Sequence, residues 1–258
     1  LPICVFFMGI SRETLRVALD RELNIEGFND YCPNGLQVEG SPTISVVVSG
    51  VTACQALLDQ AVSLNADAVL VHHGYFWQGE DARVLGMKAR RLKTLLDSGM
   101  NLFAYHLPLD CHPELGNNVT LGHLMGVADP SPLVASDAEL PLYTGRLPAA
   151  IPVEQLADKL AASLDREPLL IGEGTVQKLV WCTGAGQGYI DRAADAGADV
   201  FITGEISEQT VHVARERGLA FIAAGHHATE RYGVQAVGER VASALGCTHR
   251  FIDSPNPA

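Results

Sequence analysis

The sequence has little positive charge and no closely spaced cysteines. Only 18 lysines and arginines stand against 30 aspartates and glutamates, which gives the 258 residues a net charge of -12. Proteins that bind nucleic acids by charge alone need an excess of lysine and arginine, so this balance argues against such binding. The six cysteines form no C-x-x-C pair, which argues against a zinc knuckle and against a disulfide framework. This use of cysteine is typical of the reducing cytoplasm, where we expect the protein to be located.

Apolar runs long enough to cross a membrane are also missing. The apolar stretch 1–10 is too short to span a bilayer and lacks the basic start of a signal peptide. We therefore expect neither a membrane span nor a targeting segment, and we interpret residues 1–7 as an extension upstream of Met8. Hydrophobic residues make up 47% of the chain, enough to bury a large core in one domain or two lobes.

Alternating strand and helix patterns predict an α/β protein. The predicted strands are 44–48, 66–71, 101–105, 142–147, 178–182 and 199–202. The predicted helices are 11–24, 52–64, 87–96, 117–125, 152–164 and 189–196. Residues 30–37 have the composition of a turn. Residues 129–141 are rich in proline, serine and aspartate, which predicts a linker between an N-terminal lobe, 1–128, and a C-terminal lobe, 142–258.

Two adjacent histidines, His72 and His73, follow the strand predicted at 66–71. In open α/β sheets ligands bind beyond the carboxyl ends of the strands, and neutral imidazole is the commonest protein metal ligand. Taken alone, the pair is equally well explained by one histidine in the core and one in solvent. Other parts of the chain must decide between the two interpretations.

The two predicted lobes contain similar segments. Residues 61–71 align with residues 193–203, in the order helix end, turn, Ala-Asp and apolar strand. This alignment sets the two histidines over Gly204 and Glu205. We therefore predict an internal repeat of two related α/β lobes.

Residues 99–105, which include the next predicted strand of the first lobe, resemble residues 218–224 of the second lobe. Both segments are followed by a histidine and, four residues later, by a carboxylate. With a slip of one residue, His106 and Asp110 align with His226 and Glu230. If the residues from His226 onward are helical, positions i and i+4 lie on one face and can bind one metal or bridge two. The repeat thus predicts a metal site in the cleft between the two lobes.

Histidines and carboxylates without cysteine are suitable ligands for divalent Zn, Fe, Mn or Ni. Four strand-end motifs in register across a repeat favour a dinuclear metal site over unrelated structural histidines. The predicted metal ligands are His72, His73, Asp110, His226 and Glu230. The predicted orienting residues are His106, His227 and Glu205, whereas Glu208 and His212 are better explained as residues of a solvated helix face.

Two further motifs have simpler explanations. The glycine-rich residues 183–188 invite a phosphate-loop interpretation, but they complete neither G-x-G-x-x-G nor G-K-[ST], so a tight turn is favoured. The one basic cluster is better explained as a solvated helix face. It consists of Arg83, Lys88, Arg90, Arg91 and Lys93.

Six blocks of the sequence together resemble one protein family. They are Pro33-Asn34-Gly35-Leu36-Gln37, Val71-His72-His73-Gly74, His106-Leu107-Pro108-Leu109-Asp110, Gly116-Asn117-Asn118, Phe201-Ile202-Thr203-Gly204-Glu205 and Gly225-His226-His227-Ala228-Thr229-Glu230. In this combination nearly the whole chain is similar to the YbgI family, the dinuclear-metal toroid proteins often called GTP cyclohydrolase I type 2 homologues.

The resemblance implies a ligand set and an assembly. One ion is expected at His72, Asp110 and Glu230. The other is expected at His73, His226 and Glu230, so that Glu230 bridges the two ions. The implied assembly is a homohexameric ring, a trimer of dimers, whose metal sites face an internal cavity.

The ligand set and the resemblance predict a metal-dependent hydrolase, with a nucleotide-like substrate implied by the resemblance alone. Bound water or hydroxide is the expected nucleophile, and Glu230 or the nearby His227 is expected to handle protons. Arg90 and Arg91 are hypothetical ligands for a phosphate group. The alternative is a non-catalytic metal-binding ring that scaffolds or protects other macromolecules, for example in the response to DNA damage.

Overall fold

A computed structural model describes residues 9–133 and 141–258, and its contacts divide the chain into two compact units. The first unit runs to Leu109 and includes Val234–Ser254, and the second comprises Asp110–Gly233 and Pro255–Ala258. The boundary between the units, after Leu109, thus lies before the predicted linker, and a C-terminal segment belongs to the first unit. Most of the linker predicted at 129–141 and the extension predicted at 1–7 lie outside the described residues, so both stay predictions.

Strands and helices alternate in both units, which confirms the α/β class. The strands are β1 (Ile10–Ser11), β2 (Gly35–Val38), β3 (Thr43–Ile44), β4 (Val46–Thr52), β5 (Ala68–His73), β6 (Asn101–Ala104), β7 (Ser131–Pro132), β8 (Tyr143–Pro152), β9 (Leu169–Ile171), β10 (Thr175–Trp181), β11 (Val200–Thr203), β12 (Ala220–Ala223) and β13 (Thr248–Phe251). The helices are α1 (Arg12–Glu22), α2 (Gln55–Ser63), α3 (Gly86–Ser98), α4 (Leu107–Cys111), α5 (Asn117–Met125), α6 (Val153–Leu164), α7 (Ile190–Asp195), α8 (Glu208–Arg217), α9 (His226–Thr229) and α10 (Arg231–Leu245). None of the helices in the described ranges is both long and apolar enough to cross a membrane.

The sheet of the first unit has the strand order β13-β4-β5-β6-β2. Strands β4, β5 and β6 are parallel, and β2 pairs antiparallel with β6 at the edge. Central parallel strands are covered on both faces, so they need near-continuous apolar runs, and β5 is apolar until it reaches its histidines. Leu57 and Leu58 of α2 belong to the same core cluster as Val69 and Val71 of β5. The strand that carries the histidines is therefore fixed by a packed core.

The sheet of the second unit has the strand order β7-β8-β10-β11-β12-β9. Strands β10, β11 and β12 are parallel, whereas β8 and β9 run antiparallel to their neighbours. Successive residues of β11 pack into different core clusters, Phe201 with Phe221 and Ile202 with Trp181 and Leu156. This strand is therefore covered on both faces, as β-sheet alternation requires.

The three parallel strands are set in the same way in both units. Asp67 precedes β5, and its Oδ2 accepts two backbone N–H groups at the start of β4, at 2.7 and 3.0 Å. Asp199 precedes β11, and its Oδ2 accepts two N–H groups in β10, at 2.9 and 2.7 Å. The helix before the third strand ends in each unit at a glycine in the left-handed region, Gly99 (φ 68°) or Gly218 (φ 64°). Each central strand thus starts from an equivalent turn.

Strand pairing makes three of the predicted boundaries wrong. Thr52, the predicted start of a helix, is the last residue of β4, and Cys54 is the N-cap of α2. The strand is longer than expected because β5 continues through its histidines and pairs with β4 to the end. Pro152 ends β8, and α6 begins at Val153. Residues 35–37, expected in a turn, belong to β2 because β6 offers them a pairing partner.

Candidate metal centre

Three histidine rings come together in the first unit. His72 and His73 are the last two residues of β5, with ring centroids 4.4 Å apart. His106 follows β6, and its centroid lies 5.1 Å from that of His72 and 5.9 Å from that of His73. One ring nitrogen of each histidine lies within 4.8 Å of the other two, so the cluster could hold a cation. The parallel pairing of β5 and β6 brings the strand ends to the same edge of the sheet.

In both histidines of β5, Nδ1 lies within hydrogen-bonding distance of an oxygen atom of the protein. His72, which is fully buried, donates from Nδ1 to the carbonyl of Tyr105 at 3.1 Å. His73 Nδ1 lies 3.1 Å from Thr52 Oγ1. Metal-binding histidines commonly engage one ring nitrogen in this way, which orients the ring and selects the tautomer. With Nδ1 engaged, Nε2 is the atom that each ring offers to a ligand.

A buried carboxylate orients the third ring. Asp30 Oδ1 accepts a hydrogen bond from His106 Nδ1 at 2.7 Å, while Oδ2 accepts from Asn34 Nδ2 at 2.9 Å and from the Leu107 N–H at 2.8 Å. Burial raises the pKa of Asp30, but the bond and charge of His106 and the other donors lower it more, to below its ordinary 3.8. Asp30 is therefore ionised at neutral pH and accepts the Nδ1 proton of His106.

Two carboxylates come together in the second unit. Asp110 lies on α4 and Glu230 directly follows α9, and both are at least nine-tenths buried. One oxygen of each lies within 4.8 Å of the other. Asp110 Oδ1 accepts from Asn117 Nδ2 at 2.8 Å and from Thr183 Oγ1 at 3.1 Å. Buried carboxylates this close repel each other when both are ionised, and a divalent cation between them would offset that repulsion.

His226 lies between two acids of the second unit. Its Nδ1 faces Glu205 Oε1 at 2.7 Å, and its Nε2 faces Glu230 Oε2 at 3.2 Å. Burial lowers the pKa of His226, but Glu230 and then Glu205 raise it more, to about 9. Helix α9 ends at Thr229, so the pairing of positions i and i+4 is made across a helix end rather than within a continuous helix. A cation at Nε2 would have to displace a proton, as metal binding to histidine generally does.

Two glycines allow the backbone to approach these side chains. Gly184 has φ 66°, and a Cβ there would collide with the carboxylate of Glu230. A Cβ at Gly204 would collide with the backbone of His226. Both positions therefore need glycine for a close approach to the proposed ligands.

The glycine-rich residues 183–188 form a turn whose amides are used inside the second unit. Three of its N–H groups donate to side-chain oxygens at 2.9 to 3.0 Å. The accepting side chains are those of Asn118, Thr229 and Thr203. These amides do not face a phosphate group, which supports the tight-turn interpretation.

The remaining predicted residues have simpler positions. Glu208 and His212 are exposed on α8, with a nitrogen-to-oxygen distance of 4.0 Å, which confirms the solvated interpretation. His227 is a buried residue of α9. Three members of the basic cluster form ion pairs of 2.7 to 2.8 Å with nearby acids, as expected on a solvated face.

Three residues that orient the histidines and carboxylates were not predicted: Asp30, Thr52 and Asn117. Asp30 lies in a segment whose composition predicts a turn, and Thr52 has the character of a helix cap. Asn117 was predicted as the start of a helix and belongs to one of the six blocks, but neither observation gave it a role at the site. Their hydrogen bonds cross 7 to 76 positions of sequence, so no local spacing indicates them.

The chain is similar over nearly its full length to known proteins. The model of the family Duf34/NIF3 (NGG1p interacting factor 3) matches residues 10–257. A Pseudomonas aeruginosa protein named "GTP cyclohydrolase 1 type 2 homolog" is 54% identical over 252 residues, which cover 97% of this chain and 100% of that protein.

Two solved structures extend the comparison to the fold. A protein described as "protein ybgI, unknown function" has 50% identity and a TM-score of 0.91, with 96% of this chain and 100% of that chain covered. TTHA1606 from Thermus thermophilus has 35% identity and a TM-score of 0.88, with the same coverage. The resemblance drawn from the six sequence blocks is therefore confirmed, and the chain belongs to the Duf34/NIF3 family.

Proposed function

We propose that this protein is a metal-dependent hydrolase with a dinuclear site in the cleft between its two units. In the proposed site His72, Asp110 and Glu230 hold one divalent cation, and His73 and His226 hold the second together with the bridging Glu230. The observation that carries the proposal is the pair of buried carboxylates within 4.8 Å of each other, one of them also beside His226. A buried pair of this kind is costly without a compensating cation.

The equivalent strand frames of the two units support a repeat. Val71 lies opposite Ala104 in the pairing of β5 with β6, and Thr203 lies opposite Ala223 in the pairing of β11 with β12. We infer that an internal repeat gave both units the same strand edge. At that edge one unit carries histidines and the other carries mainly carboxylates, so the two donor sets complement each other.

The donor set favours borderline to hard divalent cations. It consists of imidazole nitrogens and carboxylate oxygens, which suit Zn, Fe, Mn or Ni, and includes no thiolate. Burial raises the pKa of the nearby Cys182 thiol well above its ordinary value, so this cysteine stays protonated. We therefore propose two such cations per chain.

The proposed reaction is hydrolysis. Two bound divalent cations would lower the pKa of water and polarise the bond that is attacked. Glu230 or His227 takes the proton from the attacking water and returns it to the leaving group. Asp30, Thr52 and Glu205 hold the histidine rings in place, which reduces the reorganisation needed during the reaction.

The proposed substrate is nucleotide-like, in line with the name "GTP cyclohydrolase 1 type 2 homolog" carried by the Pseudomonas relative. A phosphate group would need a cationic partner. Arg90 and Arg91 are not in any ion pair among the described residues, and we propose them as that partner. Arg90→Ala and Arg91→Ala variants with unchanged affinity for a phosphorylated ligand would remove this part of the proposal.

The experiment is a metal analysis combined with a hydrolase screen on nucleotides, phosphoesters and amides. The wild-type protein is expected to hydrolyse at least one class in a metal-dependent way. Glu230→Ala is expected to lose both metal and activity, whereas the control Glu208→Ala, on an exposed helix face, is expected to keep both. Activity that persists in Glu230→Ala after loss of metal would contradict the two-metal mechanism.

The assembly and the alternative function are tested by the same protein preparation. We propose a homohexameric ring, a trimer of dimers, which light scattering after gel filtration would detect as six times the mass of 27.5 kDa. Full metal occupancy without any turnover would instead favour the non-catalytic ring that scaffolds other macromolecules.

A further inference from the structure

An aromatic wall lies beside the histidines of the first unit. Trp77, which is half-buried, has its ring centroid 4.9 Å from that of His106, at an interplanar angle of 82°, and 6.0 Å from that of His73. Tyr31, which is 56% exposed, has its centroid 6.2 Å from that of His106, at 61°. Two large rings thus meet His106 edge-on and keep part of their surface open to solvent. Exposed aromatic rings are the usual surface on which flat heterocycles stack.

Hydrogen bonds from neighbouring segments hold Trp77 and Tyr31 in place. The backbone N–H of Trp77 donates to Glu80 Oε2 at 3.0 Å, and Lys88 pairs with Glu80 at 2.8 Å. The Gln78 N–H donates to the carbonyl of Tyr31 at 2.7 Å. The two aromatic residues therefore belong to one connected surface rather than to two independent loops.

Backbone strain just before Trp77 supports a functional role for this loop. Phe76 has φ 66°, in the left-handed region that non-glycine residues rarely adopt. Strain of this kind persists where the surrounding contacts impose it, and it concentrates at ligand sites. Here Gln37 fixes the preceding residue, since Gln37 Oε1 accepts the Tyr75 N–H at 2.7 Å and Gln37 Nε2 donates to the Tyr75 carbonyl at 3.0 Å.

His106 adds a polar ring atom to the aromatic surface. Its Nδ1 lies 2.7 Å from Asp30 Oδ1, so Nε2 is the ring nitrogen that remains for a ligand. The side chain of His106 is partly exposed. A polar atom next to two aromatic rings fits the polar edge of a flat heterocycle.

We propose that Tyr31, Trp77 and His106 form a subsite for a planar heteroaromatic ring, which stacks on Trp77 and forms a hydrogen bond with His106 Nε2. The subsite deepens the proposed function and rests on it, because it gives the hydrolase its substrate class. The bound heteroaromatic ring would lie next to His73, a proposed metal ligand. The bond that is hydrolysed would therefore be in, or close to, the heteroaromatic ring of the substrate.

The test is a titration of the metal-loaded full chain with inosine, guanosine and uridine, with ribose as the ring-free control. Calorimetry measures affinity, and tryptophan fluorescence reports Trp77, because Trp181 is fully buried. We expect quenching by at least one nucleoside and none by ribose. Trp77→Leu should weaken nucleoside binding about tenfold or more, since each stacked base contributes substantially to affinity. Tyr189→Leu, a half-buried ring of the second unit, is the matched control and should bind as the wild type does.

A methylated ligand tests the role of His106. In 1-methylinosine the base has lost its N–H, so we expect it to bind less tightly than inosine does. His106→Phe keeps a ring at this position but removes the hydrogen-bonding nitrogen, so the variant should no longer distinguish the two ligands. Metal content is measured in every variant, and Trp77→Leu is expected to keep it.

The outcomes separate the subsite from the metal site. Absence of binding by all three nucleosides to metal-loaded wild type, or unchanged affinity in Trp77→Leu, would overturn the subsite and leave the metal proposal standing. A chain that binds nucleosides through Trp77 but holds no cation would keep the subsite and remove the proposed hydrolase.

Discussion

Each unit contains one histidine whose Nδ1 lies 2.7 Å from a carboxylate oxygen, but the two pairs have different surroundings. In the first unit Asp30 is almost fully buried and accepts hydrogen bonds from several donors besides His106. In the second unit Glu205 is 38% exposed, and His226 also faces the buried Glu230. The same contact therefore belongs to a ring oriented by one buried carboxylate in one unit and to a ring between two acids in the other.

This difference shows how a similar strand frame can serve different chemistry. The frame is set by Asp67 and Asp199, which make equivalent bonds at the start of the central strands. The side chains beyond the strand ends differ, since His72 and His73 align with Gly204 and a carboxylate. Similar strand pairing thus brings side chains to the same edge of each sheet, while the residue types decide which donors each edge offers.

The largest expected effect on metal binding and stability comes from filling the space beside Gly184 that the Glu230 carboxylate occupies. Gly184→Ala puts a Cβ into the Glu230 carboxylate at a residue with φ 66°, so we expect loss of metal binding and about 3 kcal/mol of destabilisation. The control is Gly218→Ala, where φ is 64° and nothing lies within 4 Å of the added Cβ. It should cost only about 1 kcal/mol and leave metal content unchanged. Equal effects in thermal unfolding and metal analysis would show that backbone strain alone matters.

The second effect compares the groups that orient a histidine in each unit. Glu205→Gln removes the charge that faces His226 Nδ1, and we expect about 10- to 100-fold weaker metal binding, as for other groups that orient metal ligands. Thr52→Val removes a neutral partner of His73 at 3.1 Å and should weaken binding less. Competition with a chelator of known affinity measures both. A larger effect in Thr52→Val would reverse the comparison.

The third effect concerns the shared frame itself. Asp67→Ala and Asp199→Ala each leave two backbone N–H groups without their acceptor. The bonds of Asp67 are partly buried and those of Asp199 are exposed, so we expect losses of about 2 and about 1 kcal/mol in the free energy of unfolding. Urea denaturation measures these values. Equal losses would mean that burial does not distinguish the two turns.

The smallest effect is the pH dependence of Asp30. Its pKa is lower in the folded protein than its ordinary 3.8, so its contribution to stability is present above pH 3.8 and is lost as the pH falls through the folded-state value. The difference in unfolding free energy between wild type and Asp30→Asn should therefore shrink as the pH falls below 3.8. Asn34→Ala removes one of the donors that lower the pKa of the same carboxylate, so its difference from wild type should shrink over the same pH range, but by less. A pH-independent difference for Asp30→Asn would contradict the assignment.

Periodicity and strand-end motifs predicted the fold class well, because they depend on local patterns. The runs that became β5, β6, β11 and β12 are apolar and end near polar residues, and their existence follows from the sequence alone. The extent of β4 and the pairing of β2 do not, because they depend on neighbouring strands that are distant in sequence. Thr52 illustrates this. Its hydroxyl predicts a helix cap, but in the structure Thr52 pairs with His73 of β5 and belongs to β4.

The histidines and carboxylates were predictable in part for the same reason. His226 and Glu230 are four residues apart, and the structure brings their side chains to 3.2 Å even though α9 ends between them. The roles of Asp30 and Gly184 were not predictable, because each acts on a residue that is 46 or more positions away. Aspartate and glycine at these positions predicted turns, and only the folded chain shows which side chain each turn approaches.

Metal stoichiometry tests the proposal that residues of both units hold one dinuclear site. The measurement is elemental analysis of wild type, His72→Ala from the first unit, His226→Ala from the second unit and Glu230→Ala, all loaded with the same divalent cation. We expect two ions per wild-type chain, one in each histidine variant and none in Glu230→Ala. Two ions retained in Glu230→Ala, or a histidine variant that loses none, would contradict it.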